Sequence, residues 1–379
     1  MKEIAQVDQL QAVLDHLKTT FVGKAEIIDL MGICLVGREN LFLLGPPGTA
    51  KSAMVRALSE RLQGQSFEYL LTRFTEPNEL FGPFDIRKLR EGELITNTEG
   101  MLPEATLIFL DELLNANSAI LNSLLMVLNE RIFRRGKEQK DLPALMIVSA
   151  SNHLPEDEAL QALFDRFLIR VRCENVAPDL LSKVLQAGWK LEQKDKGNAP
   201  NITVKGIQKL QNLLKQVDLQ DIQEVYIDLV TKLRNAGLAV SDRRAVKLQR
   251  LIAASAVICK RTKAIPSDLW VLRFIWDTEE QIEVIAGIVN AVIEADTNME
   301  AQHPRAKQDS LPDADEIYKE VKQLKEKWEG TEIPLSERAI IKDRLRYLNG
   351  RCDWIKNEEQ RTYVQEPINE LWQKIIHTN

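Results

Sequence analysis

One stretch limits what this chain can fold into: LFLLGPPGTAKS, residues 41–52. An apolar run, Leu41-Phe42-Leu43-Leu44, stops at Gly45-Pro46-Pro47-Gly48 and restarts as Thr49-Ala50-Lys51-Ser52. A short apolar run bounded by breakers reads as a buried strand entering a tight loop. The following AMVRALSERL repeats its apolar residues at helical spacing, so the order is strand, glycine-rich loop, helix. Backbone amides in such a loop converge on phosphate oxygens, aided by the positive end of the helix. Lys51 would reach the β- and γ-phosphates of a nucleotide, and the Ser52 hydroxyl would ligate Mg²⁺. The strict motif asks for glycine where Ala50 stands, so Ala50 is expected at negative φ, within the first helical turn.

A second anchor is Leu107-Ile108-Phe109-Leu110-Asp111-Glu112. Four apolar residues ending in two carboxylates describe a buried parallel strand that delivers acids to its C-terminal edge, where α/β proteins bind ligands. Asp111 would join the Mg²⁺ shell, and Glu112 would orient and deprotonate an attacking water. A third apolar run, residues 144–149, ends in Ala150-Ser151-Asn152. An amide at that strand tip suits a residue that senses water or γ-phosphate, although a turn-forming asparagine explains it equally well in isolation. Residues 66–72 (SFEYLLT) and 167–171 complete five expected strands. Arg166, at a helix end before the last of them, reads either as a cation favouring the helix C-terminus or as an arginine finger reaching a neighbouring subunit's phosphate.

The rest of the chain is helical in pattern. Residues 8–20 and the stretch beginning FVGKAEIIDL form two helices, and the connection Phe21-Val22-Gly23-Lys24 could frame an adenine or simply join them. RFTEPNELFGPFDI breaks any long element, and LREGELITNTEG reads as a short hairpin turning at Glu91-Gly92 and Glu99-Gly100. Residues 115–131 form an amphipathic helix capped by Asn117 or Ser118. Beyond residue 177, five segments carry a 3.6-residue apolar stripe, IPSDLWVLRFIW among them. Ser241 caps one, which places Arg243 and Arg244 in its first turn, the wrong end for the helix dipole; they await an anionic partner or stay solvated. A helix at 279–296 precedes a polar linker, 298–313, and then further helices with Trp328, Trp354, Leu371 and Trp372 on their stripes.

Size and charge narrow the function classes. At 379 residues, two or three domains are expected. A formal net charge of −6 and the lack of a basic-aromatic channel disfavour a nucleic-acid motor. Cys34, Cys173, Cys259 and Cys352 are far apart and unpatterned, as for small apolar side chains in a reducing compartment. The amphipathic N-terminus is no signal peptide and no apolar stretch reaches membrane-spanning length, so a cytoplasmic protein is expected.

Taken together, GPPGTAKS (45–52), LIFLDE (107–112), SASN (149–152), LFDRF (163–167) and SDRR (241–244) resemble the MoxR family of AAA+ ATPases, in its helix-2-insert group. The resemblance covers about residues 5–275, and Ala50 matches this family where it departs from the general motif. It implies an α/β fold: an αβα P-loop core with a five-stranded parallel sheet (1–176), an all-α lid (177–278) and a helical C-terminal extension (279–379). It implies ATP or ADP and Mg²⁺ as ligands. The phosphates would be held by Gly45, Pro46, Pro47, Gly48, Thr49, Ala50, Lys51 and Ser52, the metal by Ser52 and Asp111, and the base near Val22 and Gly23. Glu112 would be catalytic, Asn152 sensor 1, Arg166 the arginine finger with Arg170 as substitute, and Arg243 sensor 2 beside Arg244. The 84–100 excursion would be the helix-2 insert and 132–143 the pre-sensor hairpin. The last hundred residues resemble the RavA branch without its β-rich module. The family further implies a homo-oligomeric ring, a hexamer, acting like a chaperone on a protein client, often beside a von Willebrand factor A-domain partner. A nucleotide-dependent scaffold with little turnover is the rival, against which the intact Glu112 and Arg166 argue.

Overall fold

The computed structural model describes residues 4–135, 138–155, 157–176, 178–192, 199–296, 303–307, 314–329, 335–352, 355 and 358–377. Trp354 and Pro334 lie outside the described residues. The first part of the chain alternates helices and strands. Helices α1 (Ile4–Thr20) and α2 (Ala25–Gly37) lead into β1 (Leu41–Leu44), then α3 (Lys51–Arg61) and β2 (Leu62–Gln63). Next come β3 (Ser66–Leu70), the short helices α4 (Pro77–Phe81) and α5 (Ile86–Arg90), and β4 (Leu107–Asp111). Helix α6 (Ser118–Glu130), the hairpin β5 (Ile132–Arg135) and β6 (Glu138–Asp141), β7 (Met146–Ser151), α7 (Glu158–Phe164) and β8 (Ile169–Arg172) follow.

The five main strands form one parallel sheet in the order β3-β4-β7-β1-β8. All residues of β1 and β7 are buried, as apolar strands covered on both faces must be. The fold class is the expected one. Strand ends differ from the expected ranges by one or two residues, where fraying and polar tips blur the pattern. Asn117 caps α6, its side chain accepting from the amides of Ala119 and Ile120 at 3.1 Å each.

The helix-2 insert departs from expectation. Only Phe84 and Thr96 pair across it, closed by Asp85 N–H to the Ile95 carbonyl and Asn97 N–H to the Pro83 carbonyl, both 2.8 Å. The tip is the helical turn α5, nucleated by the Asp85 carboxylate, which accepts from the amides of Arg87 and Lys88, so a full hairpin does not form. The β5–β6 hairpin is present and grips the insert: Arg135 donates to the Gly82 carbonyl at 2.9 Å and lies 3.9 Å over the Phe84 ring.

The second part is helical: α8 (Leu181–Glu192), β9 (Ile202–Thr203) pairing with β2, α9 (Val204–Leu213), α10 (Gln223–Asn235), α11 (Asp242–Ile258) and α12 (Gln281–Glu294). IPSDLWVLRFIW, expected as an α-helix, is 3₁₀ over Pro266–Phe274. Its fully buried Asp268 accepts from the Ile265 amide, Ser255 and Arg261, and these bonds hold the segment in the tighter winding. Helices α9 to α12 share one apolar core with the sheet layer. The expected linker is structured in part: residues 303–307 pack on that core, with buried His303 stacked on Trp270 at 4.8 Å.

Helices α13 (Ala314–Glu329), α14 (Leu335–Cys352) and α15 (Glu358–His377) bury Ile317, Val321, Leu345, Leu348, Ile368 and Leu371 against one another in a separate core.

Candidate functional site

The C-terminal edge of the sheet gathers the loops that carry the sequence motifs. Gly45 follows β1 and is clamped between its neighbours: its amide donates to the Ser151 carbonyl at 3.1 Å, and a Cβ on it would lie 2.1 Å from the Cys173 carbonyl oxygen. Only glycine fits there. Gly48 has φ +84°, and among the described residues a Cβ on it would meet nothing within 4 Å. Pro46, Pro47 and Gly48 are exposed, while Thr49 is buried and donates to the Pro46 carbonyl at 2.9 Å. Ala50 has φ 66°, in the left-handed region, and stands as N-cap of α3 rather than inside its first turn. The expected negative φ is therefore wrong. The chain must reverse sharply from the loop into α3, and an alanine holds that strained corner.

Side chains from three strand ends converge behind this loop. Lys51 Nζ donates to the carbonyls of Gly45 and Pro46 (3.0 Å for Pro46) and to Asn152 Oδ1 at 3.1 Å. Ser52 Oγ donates to Asp111 Oδ2 at 3.1 Å. Asn152 Nδ2 donates to Glu112 Oε1 at 2.5 Å, and Asn115 to Glu112 Oε2 at 3.4 Å. Glu112 itself has φ 52°, a second non-glycine residue in the left-handed region at this edge. Burial, and then the negative charge of Asp111, raise the Glu112 pKa above the ordinary glutamate value; Lys51, His153 and Asn152 oppose the shift. A half-buried carboxylate with raised proton affinity beside an amide that orients it is equipped to take a proton from water.

Val22 and Gly23 sit at the same edge. Lys24 Nζ donates to the Glu174 carbonyl, and a Cβ on Gly23 (φ +75°) would fall 2.8 Å from Val176, just past β8. Ser52 and Asp111 offer hard oxygen donors at hydrogen-bond distance, a pair that suits Mg²⁺ when phosphates and water complete the octahedron.

The arginines lie elsewhere. Arg166 precedes β8, whose Ile169 registers with Leu41 at the start of β1. Asn40, just before β1, donates to the carbonyls of Arg166 (2.9 Å) and Leu128 (3.2 Å). This is the N-terminal edge of the sheet, one strand length of roughly 13 Å from the P-loop side. Arg166 is half-buried, and among the described residues its Nε has no hydrogen-bond partner. Arg243 is exposed and reaches Asn129, at the end of α6 on that same edge, at 3.3 Å. It does not fold over its own P-loop, because α11 packs along α2, with Arg250 3.4 Å from the buried Glu39.

Arg170, the substitute finger, is ruled out. Its side chain is fully buried, bonded to Asp277 and to the Trp276 carbonyl (2.5 Å), and lies 4.0 Å over the Phe164 ring. Arg244 has found its anion in the same Asp277, at 3.0 Å. Neither can leave without unpairing a buried charge. The residues that sequence reasoning missed are Asn40, Asn115 and Asp277: single polar residues whose partners come from distant segments.

Comparison with known proteins places the chain in a family. Residues 8–212 match the profile of the MoxR domain in the MoxR-vWA-beta-propeller ternary systems, and residues 218–289 match an AAA lid domain. An uncharacterized protein of Methanocaldococcus jannaschii is 36% identical over 76% of this chain and 75% of its own length. Chaperone MoxR1 of Mycobacterium tuberculosis is 25% identical over 46% of this chain and 47% of its own. A crystal structure of a candidate ATPase from Cytophaga hutchinsonii superposes with a TM-score of 0.62 at 19% identity, covering 77% of this chain and 96% of that one. The chain belongs to the MoxR family of AAA+ ATPases.

Proposed function

We propose that this protein hydrolyses ATP between neighbouring subunits of a ring and uses the cycle to remodel or mature a protein client. The observation that carries the reading is the split of the candidate site: Lys51, Asp111, Glu112 and Asn152 at one edge of the sheet, Arg166 and Arg243 at the other. A head-to-tail contact between copies brings such edges together, and repetition of that contact closes a ring, here a hexamer.

In this reading Gly45 to Ser52 hold the phosphates, and Val22 and Gly23 flank the base. Ser52 and Asp111 hold Mg²⁺, which supplies Lewis-acid stabilisation of the phosphate oxygens when bound. Glu112 accepts the proton of the attacking water, and Asn152 keeps its carboxylate aimed. Arg166 of the next subunit balances charge developing on the γ-phosphate, with Arg243 beside it. The family's von Willebrand factor A-domain context suggests such a partner for the client step. Among the described residues Cys34, Cys173, Cys259 and Cys352 form no disulfide, which is compatible with the cytoplasm.

The test is a mixing experiment. Arg166→Ala should bind ATP as the parent does yet turn over about 10³-fold more slowly. Lys51→Ala should fail to bind ATP. Mixed, the two inactive proteins should recover activity, because some interfaces pair an intact P-loop with an intact Arg166. No recovery at any ratio, with subunit exchange verified, refutes action between subunits.

A further inference from the structure

Helix α8 begins at the rim of the candidate nucleotide site, since Leu180, just before it, packs 3.6 Å from where a Gly23 Cβ would lie. Leu181, Leu185 and Trp189 recur every four residues, so they form one stripe along its face. They are 50%, 67% and 65% exposed. Twelve-residue helices are marginal in water unless an apolar face is covered, and here that face points outward. Single exposed apolar residues are ordinary; a tryptophan and two leucines aligned on one helix mark an interface.

The opposite edge of the molecule carries a counterpart. Val246 is 66% exposed on α11, three residues after Arg243 and four before Arg250, hence on the same helix face as both. The start of α8 thus lies beside one half of the split site and Val246 beside the other. The contact that would carry Arg243 to a neighbour's P-loop would also carry the α11 face towards that neighbour's α8.

We propose that the Leu181-Leu185-Trp189 stripe of α8 is the apolar anchor of the contact between two copies of this chain, received by the Val246 face of the next copy. The proposal rests on the split-site reading above and adds the surface that holds the two halves together. Trp189 is the anchor because a large, nearly rigid ring removes the most apolar area from water per ordered side chain. Nucleotide on the P-loop side and the stripe beside it would be covered in the same event, so assembly and nucleotide occupancy are coupled.

Full-length protein with Mg²⁺ and a non-hydrolysable ATP analogue tests this by light scattering and calorimetry. The parent should assemble. Trp189→Ser should need at least about 30-fold more protein for half-assembly, while binding the analogue within about twofold of the parent. Leu185→Ser should weaken assembly in the same direction, and neither should lower the melting temperature of the unassembled protein. Val246→Glu should also block assembly, and mixing it with Trp189→Ser should yield pairs, since one protein keeps the α8 stripe and the other the α11 face. Assembly of Trp189→Ser at the parental concentration overturns the proposal. So does a lower melting temperature, which would mean the stripe is covered within its own chain, or failure of the mixed variants to pair. A parent that binds the analogue yet stays monomeric refutes the split-site reading itself, and the anchor with it.

Discussion

Replacing Asp277 by alanine should unfasten the lid from the sheet. Arg170, at the middle of β8, is fully buried and bonds the Asp277 carboxylate, the Trp276 carbonyl at 2.5 Å and the Phe164 carbonyl at 3.2 Å. Arg244, on α11, reaches the same carboxylate at 3.0 Å, with side chains only 11% and 16% exposed. Asp277 thus serves two guanidiniums, and the more exposed Asp165 stands 3.6 Å from Arg170 as a second partner. The Arg170 pKa is already pulled down to about 10, by burial first and by the Arg244 charge second, with Asp277 opposing both. Removing one member of a buried pair costs about 3–5 kcal/mol, because the other is left desolvated and uncompensated. Here the remaining guanidiniums repel, but Asp165 still faces Arg170 at 3.6 Å, so a loss within that range is expected. Asp277→Ala combined with Arg170→Met should regain part of the loss, since apolar volume can replace the Arg170 half of the cluster at little cost while Arg244 stays without its carboxylate. Urea unfolding, read as the midpoint with the denaturant slope unchanged, measures both. A cost below about 1 kcal/mol for Asp277→Ala would mean that water reaches Arg170, and the clamp would not be what holds lid to sheet.

Two further outcomes follow from the same geometry. Ala50→Gly should stabilise the protein by about 0.5–1 kcal/mol: relief of the left-handed conformation at φ 66° gives back roughly 1–2, and the freer unfolded glycine takes part of it away. A drop in thermal midpoint would refute the strain. His303, buried on Trp270, has its pKa lowered from 6.5 to about 4, chiefly by burial. The unfolded chain then binds the extra proton between those values, so this contribution is intact above pH 6.5 and is lost as pH falls towards 4, by roughly 3 kcal/mol in all. Imidazole NMR should show one histidine titrating far below the rest and absent in His303→Gln; four ordinary titrations would sink the idea.

The αβα layer was legible because its signals are local. Continuous apolar strands, a glycine-rich loop and paired carboxylates each sit within a dozen residues, and the parallel sheet places their ends together. What the sequence concealed was non-local or conformational. The φ of Ala50 depends on how the loop meets α3, and nothing in GPPGTAKS states it. Arg166 and Arg170 are four residues apart in one motif, yet one is half-buried at the sheet edge and the other is sealed beneath the lid; the difference is made by Asp277, more than a hundred residues away. Arg243 and Arg244 divide in the same way, one towards Asn129 and one towards Asp277.

The placement of the lid bears on how hydrolysis would be felt. Asp277 ties it to β8 through Arg170, and Glu39, at the start of β1, ties it through Arg250. Both fastenings lie away from the loop that follows β1, and Arg243 projects from the lid on that far side. A lid held there cannot report on its own γ-phosphate by closing over it. If the site works between subunits, the lid of one copy instead senses the nucleotide of the next, through Arg243, while Arg166 does so from the sheet layer. Loss of the γ-phosphate would then release two cations at once from a neighbour's site. The strain at Ala50 and Glu112 makes that site a stiff one, since residues held in the left-handed region persist only where the surroundings over-determine them. On the ring reading proposed above, such a phosphate site facing a neighbour's arginines would transmit a change of charge as movement of one subunit against another, at the boundary between the P-loop edge of one copy and the arginine edge of the next.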